Sequence, residues 1–330
     1  MSFSFLLLLH RDNIPDFFIT FEPMKKVLVI YYTQTGQLNK AVRATLAPLE
    51  AAKDVIIVYE QIKPKTAYPY PWSYMQFFDI FPETVHGIPT ELEPFSFNSE
   101  EHFDLVVIAY QPWFLSICVP INSFLQTTEA KKLLKDKPVV TILACRNMWL
   151  NGQEKMKTHL KNLQANLVGN ITYVDKASNL TSLVTVLAFV LKGVKENFIG
   201  IFPKYGVSDK DLEELSPKFG ASILNHLNQN NYETLQTELI ANGAINIKPS
   251  LMLMEARGRD LFPLYANYIS KKGTAGSAQR RTRVRIFGIV LPTAILILSP
   301  IITILSRLAP VLFSKKFKKE IDYYSQNSLR

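Results

Sequence analysis

Apolar and polar positions along the chain fall into two alternating rhythms. Val27 to Tyr32 is an unbroken apolar and β-branched run, the pattern of a strand buried on both faces. Asn39 to Glu50 then sets Ala41, Val42, Thr45, Leu46 and Leu49 at helical spacing. Asp54 to Tyr59, Phe103 to Tyr110, Pro138 to Ala144 and Leu167 to Val174 read as four further strands, with helices at Pro120 to Lys135 and Gly152 to Ala165. Five strands alternating with helices predict an α/β fold: a doubly wound five-stranded parallel sheet, because right-handed crossovers place helices on both faces. Ligands of such sheets sit beyond the carboxyl ends of the strands, so the residues that follow each strand carry the chemistry.

The rhythm breaks twice. Between Lys63 and Glu101, prolines at 64, 69, 71, 82, 89 and 94 forbid a long helix while Tyr68, Tyr70, Trp72, Tyr74, Phe77, Phe78 and Phe81 crowd together. This aromatic insertion reads as a lid or as an extra layer packed on the sheet. Beyond Asp175 the pattern turns helical. Leu180 to Leu191 is an apolar helix of core length, Ser208 with Asp211 marks a helix start, and Gly220 to Gln229 and Tyr232 to Ala241 continue to a stop at Gly243. Met252, Met254, Phe262, Leu264, Tyr265 and Tyr268 supply a soft apolar surface suited to an acyl chain or to plain helix packing. Lys271 to Ser277 reads as a flexible hinge. Ile286 to Ser306 is uncharged, interrupted by Pro292 and Pro300, and followed by Pro310.

Charge changes the picture mainly at this end. Of the formal net charge of +9, +8 lies from Arg280 onward, where ten basic residues meet only Glu320 and Asp322. The body is therefore near neutral, which argues against nucleic acid and for an anionic membrane surface as the tail's partner. Basic clusters on both sides of the apolar run oppose a simple span, so a re-entrant or surface-lying anchor at the cytoplasmic face of the inner membrane is expected, with an internally packed helical hairpin as the alternative. Cys118 and Cys145 have no C-x-x-C spacing and the histidines no metal-ligand spacing, which excludes a disulfide framework and makes a metal site unexpected. Residues 1–23 lack the basic start and cleavage site of a secretory signal and read as an extension or a misassigned start.

The turn after the first strand is the strongest chemical signal. Thr33, Gln34, Thr35, Gly36, Gln37 and Leu38 join a strand's carboxyl end to a helix's amino end, where free amides and the helix dipole favour a phosphate. No lysine followed by Ser or Thr succeeds Gly36 and no G-x-G-x-x-G is present, which excludes a nucleoside-triphosphate loop and the ordinary dinucleotide fingerprint; a ligand-free polar turn stays open. Two more loops follow strands: Gln111, Pro112, Trp113 and Phe114 after Tyr110, and Cys145, Arg146, Asn147, Met148 and Trp149 after the fourth strand. Their flat rings could stack on an isoalloxazine ring, with Gln111, Arg146 or Asn147 at its polar edge, or merely cap the sheet. Tyr110, His86 and His102 are the weak candidates for a catalytic base.

Tyr-Tyr-Thr-x-Thr-Gly-x-Leu after a first strand resembles the phosphate loop of the flavodoxin and quinone-reductase flavoproteins, which implies FMN as cofactor, held at residues 33–38 and flanked by the two loops above. The whole chain is similar to a narrower group, the bacterial dialkylresorcinol condensing enzymes of flexirubin-type pigment biosynthesis. The similarity rests on the Lys25 to Leu38 start, the Gln-Pro-Trp-Phe and Cys-Arg-Asn-Met-Trp loops and the apolar tail. It implies a flavin-dependent aromatase that oxidises a dialkylcyclohexane-1,3-dione, made by a ketosynthase-like partner, to a dialkylresorcinol. The alternatives are an NAD(P)H-dependent quinone reductase and a non-catalytic membrane scaffold for the ketosynthase. The expected organisation is the extension 1–23, a flavodoxin-like FMN-binding domain 24–176 with the insertion 63–101, a helical substrate-pocket extension 177–272, and a basic and apolar membrane-associating tail 273–330.

Overall fold

The computed structural model describes residues 24–196, 198–312 and 314–330, the side chains of 299, 302–312, 314 and 316 excepted; the expectation for residues 1–23 lies outside them. In chain order, β1 (Lys25–Tyr31), α1 (Gln37–Glu50) and β2 (Val55–Gln61) lead into the aromatic insertion, which contains α2 (Tyr74–Asp79) and α3 (Phe81–His86). Next come β3 (Leu105–Tyr110), a small hairpin of β4 (Pro112–Trp113) and β5 (Ser116–Ile117), α4 (Val119–Phe124), α5 (Thr128–Leu134), β6 (Pro138–Cys145), α6 (Leu150–Asn162) and β7 (Asn166–Val174). The remainder is helical: α7 (Asn179–Lys192), α8 (Asp209–Gln229), α9 (Leu235–Ala241), α10 (Pro249–Ser270), α11 (Arg281–Leu312) and α12 (Ser314–Ser325).

The five long strands form one parallel sheet in the order β2-β1-β3-β6-β7. Counting only those strands this is order 2-1-3-4-5, the flavodoxin-like doubly wound arrangement, whose switch point lies between β1 and β3. Alternation along the central strands decides both core layers. Val27, Val29, Tyr31, Leu105, Val107 and Ala109 face α1 and α8, while Leu28, Ile30, Val106, Ile108 and Tyr110 face the layer that holds α4, α5 and α6. α8 lies so close to α1 that a Cβ on Gly220 would come within 2.1 Å of the Thr45 carbonyl oxygen. Its start is the one expected, since the Ser208 hydroxyl accepts the Asp211 N–H at 3.0 Å.

Three expectations need correction. The predicted helix Pro120 to Lys135 is two helices, because the chain turns at Leu125 to Thr127 and restarts where the Thr127 hydroxyl accepts the Ala130 N–H. The apolar run is not broken at Pro292, Pro300 and Pro310, for α11 runs unbroken over 32 residues. A proline removes one ladder bond and strains the preceding turn, a local loss that the remaining bonds of a long helix can absorb as a bend. The Lys271 to Ser277 hinge is tied down: Gly276 N–H donates to Asp79 Oδ2 at 2.6 Å, and the buried Arg280 reaches the Gly273 carbonyl. Among the described residues, no helix is long and apolar enough to cross a membrane.

Candidate functional site

The carboxyl end of the sheet collects every predicted loop. Past β1, Gly36 takes φ +79°, which lets the chain turn into α1, and Thr33 Oγ1 accepts the Gly36 N–H at 3.1 Å. Gly36 offers no side-chain cap and no other is seen among the described residues, so the first amides of α1 keep their donors for a ligand or water. Thr35 and Gly36 are exposed. Gln37 Nε2 and Asn39 Oδ1 are buried polar atoms with no hydrogen-bond partner among the described residues, and Gln37 packs on Gly206. Leu38 is almost fully buried in the α1 core layer, so only its main chain can serve a ligand. These groups fit a phosphate monoester: an uncapped helix start, an outward glycine and an orphaned amide donor meet in one turn.

Gln34 does something sequence reasoning did not anticipate. Its amide donates to the Pro69 carbonyl at 2.6 Å and accepts the Trp72 indole N–H at 3.0 Å, which ties the aromatic insertion to the turn. Around it stand four rings. Trp72 stacks on Tyr68 at 5.5 Å, and Trp113 meets Tyr32, Tyr68 and Trp72 edge-on at 5.9, 5.3 and 5.8 Å. Burial lifts the Tyr68 phenol to about 12, so it is neutral at ordinary pH.

Trp113 owes its aim to the β4–β5 hairpin, whose turn residues Phe114 and Leu115 both have positive φ, 44° and 60°. Two non-glycine residues in that region cost on the order of 1 kcal/mol each, strain that the surrounding packing must hold. The turn sends Phe114 the other way, onto Phe77 and Phe81 at 5.2 Å each. Gln111 and Pro112 are half-buried at its base.

The loop after β6 is bound from above by α7. Arg146 Nε donates to Ser182 Oγ at 2.8 Å and Nη2 to the Asn179 carbonyl at 2.9 Å, while Asn147 Nδ2 donates to Asn179 Oδ1 at 2.8 Å. At its other end α7 gives its Val190 carbonyl to Trp72 N–H, and Phe189 packs between Tyr70 and Tyr205. α7 thus roofs the crevice from the β6 loop to the insertion. No carboxylate pairs with the Arg146 guanidinium among the described residues, and burial lowers its pKa to about 10. Its hydrogen bonds go to neutral acceptors, and the Asp175 carboxylate acts on it only through space. Beside the roof, a cleft of about 330 Å³ opens between Asp175, Lys176, Lys204, Gly206 and Ser208, next to Gln37.

Other predicted residues stand apart. Trp149 is buried in the sheet layer that holds α6. Met148 is half-buried beside it, and burial raises the Cys145 thiol far above its usual range, so no thiolate is offered. The Tyr110 phenol, also raised by burial, donates to Gln153 Oε1 at 2.7 Å inside a closed network with Thr141 and Asn170. His102 precedes β3, at the amino end of the sheet, a strand length from the β1 turn, and His86 is exposed at the end of α3. The three base candidates are therefore not brought together with the turn. Glu255 was missed. From α10 it accepts the Asn151 N–H at 2.7 Å, capping α6 across the chain, and burial raises its carboxyl to about 7. Its signal was partly legible, for it falls one turn beyond the apolar Leu251 and Met252 on the same buried stripe of α10, although Arg259 follows it at i+4.

No protein-family model matches this chain, and no curated protein does. Among solved structures, it is similar to the flavoprotein of Lactobacillus acidophilus NCFM in complex with FMN, at 16% identity over 45% of this chain and 93% of that one, with a TM-score of 0.36. A putative flavoprotein from Bacteroides uniformis ATCC 8492 matches at 15% identity over 47% and 93% of the two chains, TM-score 0.36. The Trp repressor binding protein of Bacillus subtilis matches at 9% over 52% and 100%, TM-score 0.29. Scores this low carry no argument about the site, and the flavodoxin-like fold stands on the strand order of this chain alone.

Proposed function

We propose that the chain is an FMN-dependent oxidoreductase that holds the cofactor's phosphate in the β1–α1 turn. One observation carries the reading: an uncapped 14-residue helix, entered through Gly36 at φ +79°, stands beside the switch point of a 2-1-3-4-5 sheet with a buried, unpartnered Gln37 amide. The main chain of residues 35–39 and the Thr33 and Thr35 hydroxyls would receive the phosphate. Trp113 would offer a ring face, and Arg146 with Asn147 the cation and amide for a polar ring edge. When bound, FMN supplies a two-electron acceptor for hydride. Arg146 suits an electron-rich partner, since it makes no direct ion pair among the described residues and is desolvated, with Asp175 acting on it only through space. Asn179 and Ser182 hold that guanidinium in place meanwhile.

The resemblance to the dialkylresorcinol condensing enzymes supplies the finer reading. The substrate would be a dialkylcyclohexane-1,3-dione delivered by a ketosynthase-like partner, and aromatisation removes two hydrogens, one as a proton and one as hydride, to leave a dialkylresorcinol. The apolar cluster of Phe77, Phe78, Phe81, Phe114, Phe262 and Phe287 lies across the β4–β5 hairpin from Trp113 and is chemically suited to alkyl chains. The test is the absorption spectrum of the purified chain, followed by anaerobic mixing with a synthetic dialkylcyclohexanedione. A bound flavin that bleaches supports both statements. A colourless chain that takes up no FMN rejects the cofactor, and a flavin that ignores the dione but bleaches with NAD(P)H and passes electrons to quinones moves the reading to a quinone reductase.

A further inference from the structure

α11 has a buried beginning and an unpartnered middle. At its start Arg280, fully buried, donates to Asp79 Oδ1 at 2.7 Å and to both Glu83 carboxylate oxygens, locking the helix onto the aromatic insertion. Phe287 then stacks on Phe81 at 3.9 Å, and Gly288 lies so close to Tyr74 that a Cβ would come within 2.4 Å of its hydroxyl. Beyond that point one face stays against the body, with Leu291 on the aromatic cluster and Ile295 half-buried, while the other turns outward. Ile289, Leu296 and Ile297 are 59%, 58% and 58% exposed, and Ile286, Leu298 and Ile301 are exposed with them. No charged residue lies between Arg285 and Arg307. An apolar surface left in water over four turns is the signature of a binding face rather than of scattered surface residues.

The two ends of this helix settle how such a face can be used. α12 returns to the body: Phe317 is buried in the sheet layer with α6, Tyr323 donates to Glu154, Gln236 Nε2 donates to the Ser325 carbonyl at 2.8 Å, and Lys157 to the Ser328 carbonyl at 3.2 Å. A 32-residue helix is about 48 Å long, yet both of its ends are fastened to one folded body. A span would put those ends on opposite sides of a bilayer and undo one set of bonds. The flanks are basic, with Arg281 and Arg285 exposed before the apolar stretch and Lys315, Lys318 and Lys319 exposed after it. We propose that α11 lies in the plane of an anionic lipid surface, its apolar middle sunk among the acyl chains and its two basic ends on the headgroups. This assignment stands independently of the flavin reading, since it uses no residue of the β1 turn.

The experiment is flotation of the full chain with phosphatidylcholine vesicles, with and without phosphatidylglycerol, beside the Ile297→Glu variant, whose side chain is exposed and whose unfolding curve should match the parent's. Removing one isoleucine from the acyl chains and adding a charge there should weaken binding by about tenfold or more. The expected result is binding that needs phosphatidylglycerol, falls with salt and is lost in Ile297→Glu. Equal binding to neutral vesicles overturns the electrostatic part, and no flotation, or flotation indifferent to Ile297→Glu, overturns the whole. A dimer that Ile297→Glu dissolves, in a chain that ignores lipid, overturns it in favour of a contact between copies. Orientation is read from Gln279→Cys and Ser328→Cys, both at exposed positions, with an impermeant maleimide on vesicle-bound protein. Labelling of both from outside supports the in-plane helix; protection of Ser328→Cys until the vesicles are opened shows a span and refutes it.

Discussion

Trp72 gives its indole N–H to Oε1 of Gln34 over 3.0 Å, and that bond joins the turn after β1 to an insertion more than thirty residues further on. Because the Gln34 amide also donates to the Pro69 carbonyl, one side chain in the proposed phosphate turn sets the position of the aromatic cage. Trp72→Phe keeps the ring packing but leaves a half-buried amide oxygen without its donor. The expected loss is about 1–2 kcal/mol, read as a lower urea midpoint at unchanged slope. An unshifted midpoint would show that the bond does not form in solution.

Much of this arrangement was legible, and the reason is periodicity. Val27 to Tyr32 and Phe103 to Tyr110 announce strands buried on both faces, and the five-fold alternation fixed the doubly wound sheet that the structure displays. What escaped is what pattern cannot encode: polar contacts between residues distant in the chain. Gln34 looked like a phosphate ligand and is engaged with the insertion. Arg280 looked like a surface charge of a basic tail, yet it is buried on Asp79 and Glu83, which nothing in a local window could reveal. Glu255 is the intermediate case, since its place on an apolar stripe was visible but its partner, the start of α6, was not.

Gly36 tests the turn itself. A Cβ there would meet nothing within 4 Å, so space is not the constraint; φ +79° is. Gly36→Ala should cost about 1–2 kcal/mol of stability through its left-handed backbone while leaving flavin in place. Gly36→Asp adds a carboxylate against the phosphate, a repulsion of about 4 kcal/mol at close range and intermediate dielectric, and should abolish cofactor retention. Both are read from flavin released on denaturation per mole of protein. Equal flavin in Gly36→Asp and the parent would reject the assigned turn.

The Arg280 cluster makes the sharpest stability prediction. Its guanidinium is fully buried and its carboxylate partners are half-buried, so Arg280→Met leaves Asp79 and Glu83 close together without a counter-charge. Removing one partner of a buried ion cluster typically costs about 3–5 kcal/mol, whereas replacing all members with apolar residues recovers much of it. Arg280→Met should therefore lower the urea midpoint sharply, and adding Asp79→Asn and Glu83→Gln should restore part of the loss. A single variant as stable as the parent would show that the insertion and α11 are not joined here.

Glu255 provides a pH dependence whose sign can be worked out. Its carboxyl, usually near 4.5, is raised to about 7 because burial opposes ionisation more than the amides of Asn151, Leu150 and Trp149 favour it. Below about pH 4.5 the group is protonated in both folded and unfolded chains and contributes no pH dependence. Between about 4.5 and 7 the unfolded chain has lost the proton that the folded one keeps, so the folded state binds more protons and its stability falls as pH rises. Above about 7 the loss is complete, on the order of 3 kcal/mol. Glu255→Gln retains an oxygen to accept the Asn151 N–H but cannot ionise, so it should gain on the parent by about that amount between pH 4.5 and 8. Urea unfolding of both chains across that range measures the difference. If the two stability curves run parallel, the carboxylate is ionised in the folded protein as readily as in water, and the start of α6 is then held by a charged cap.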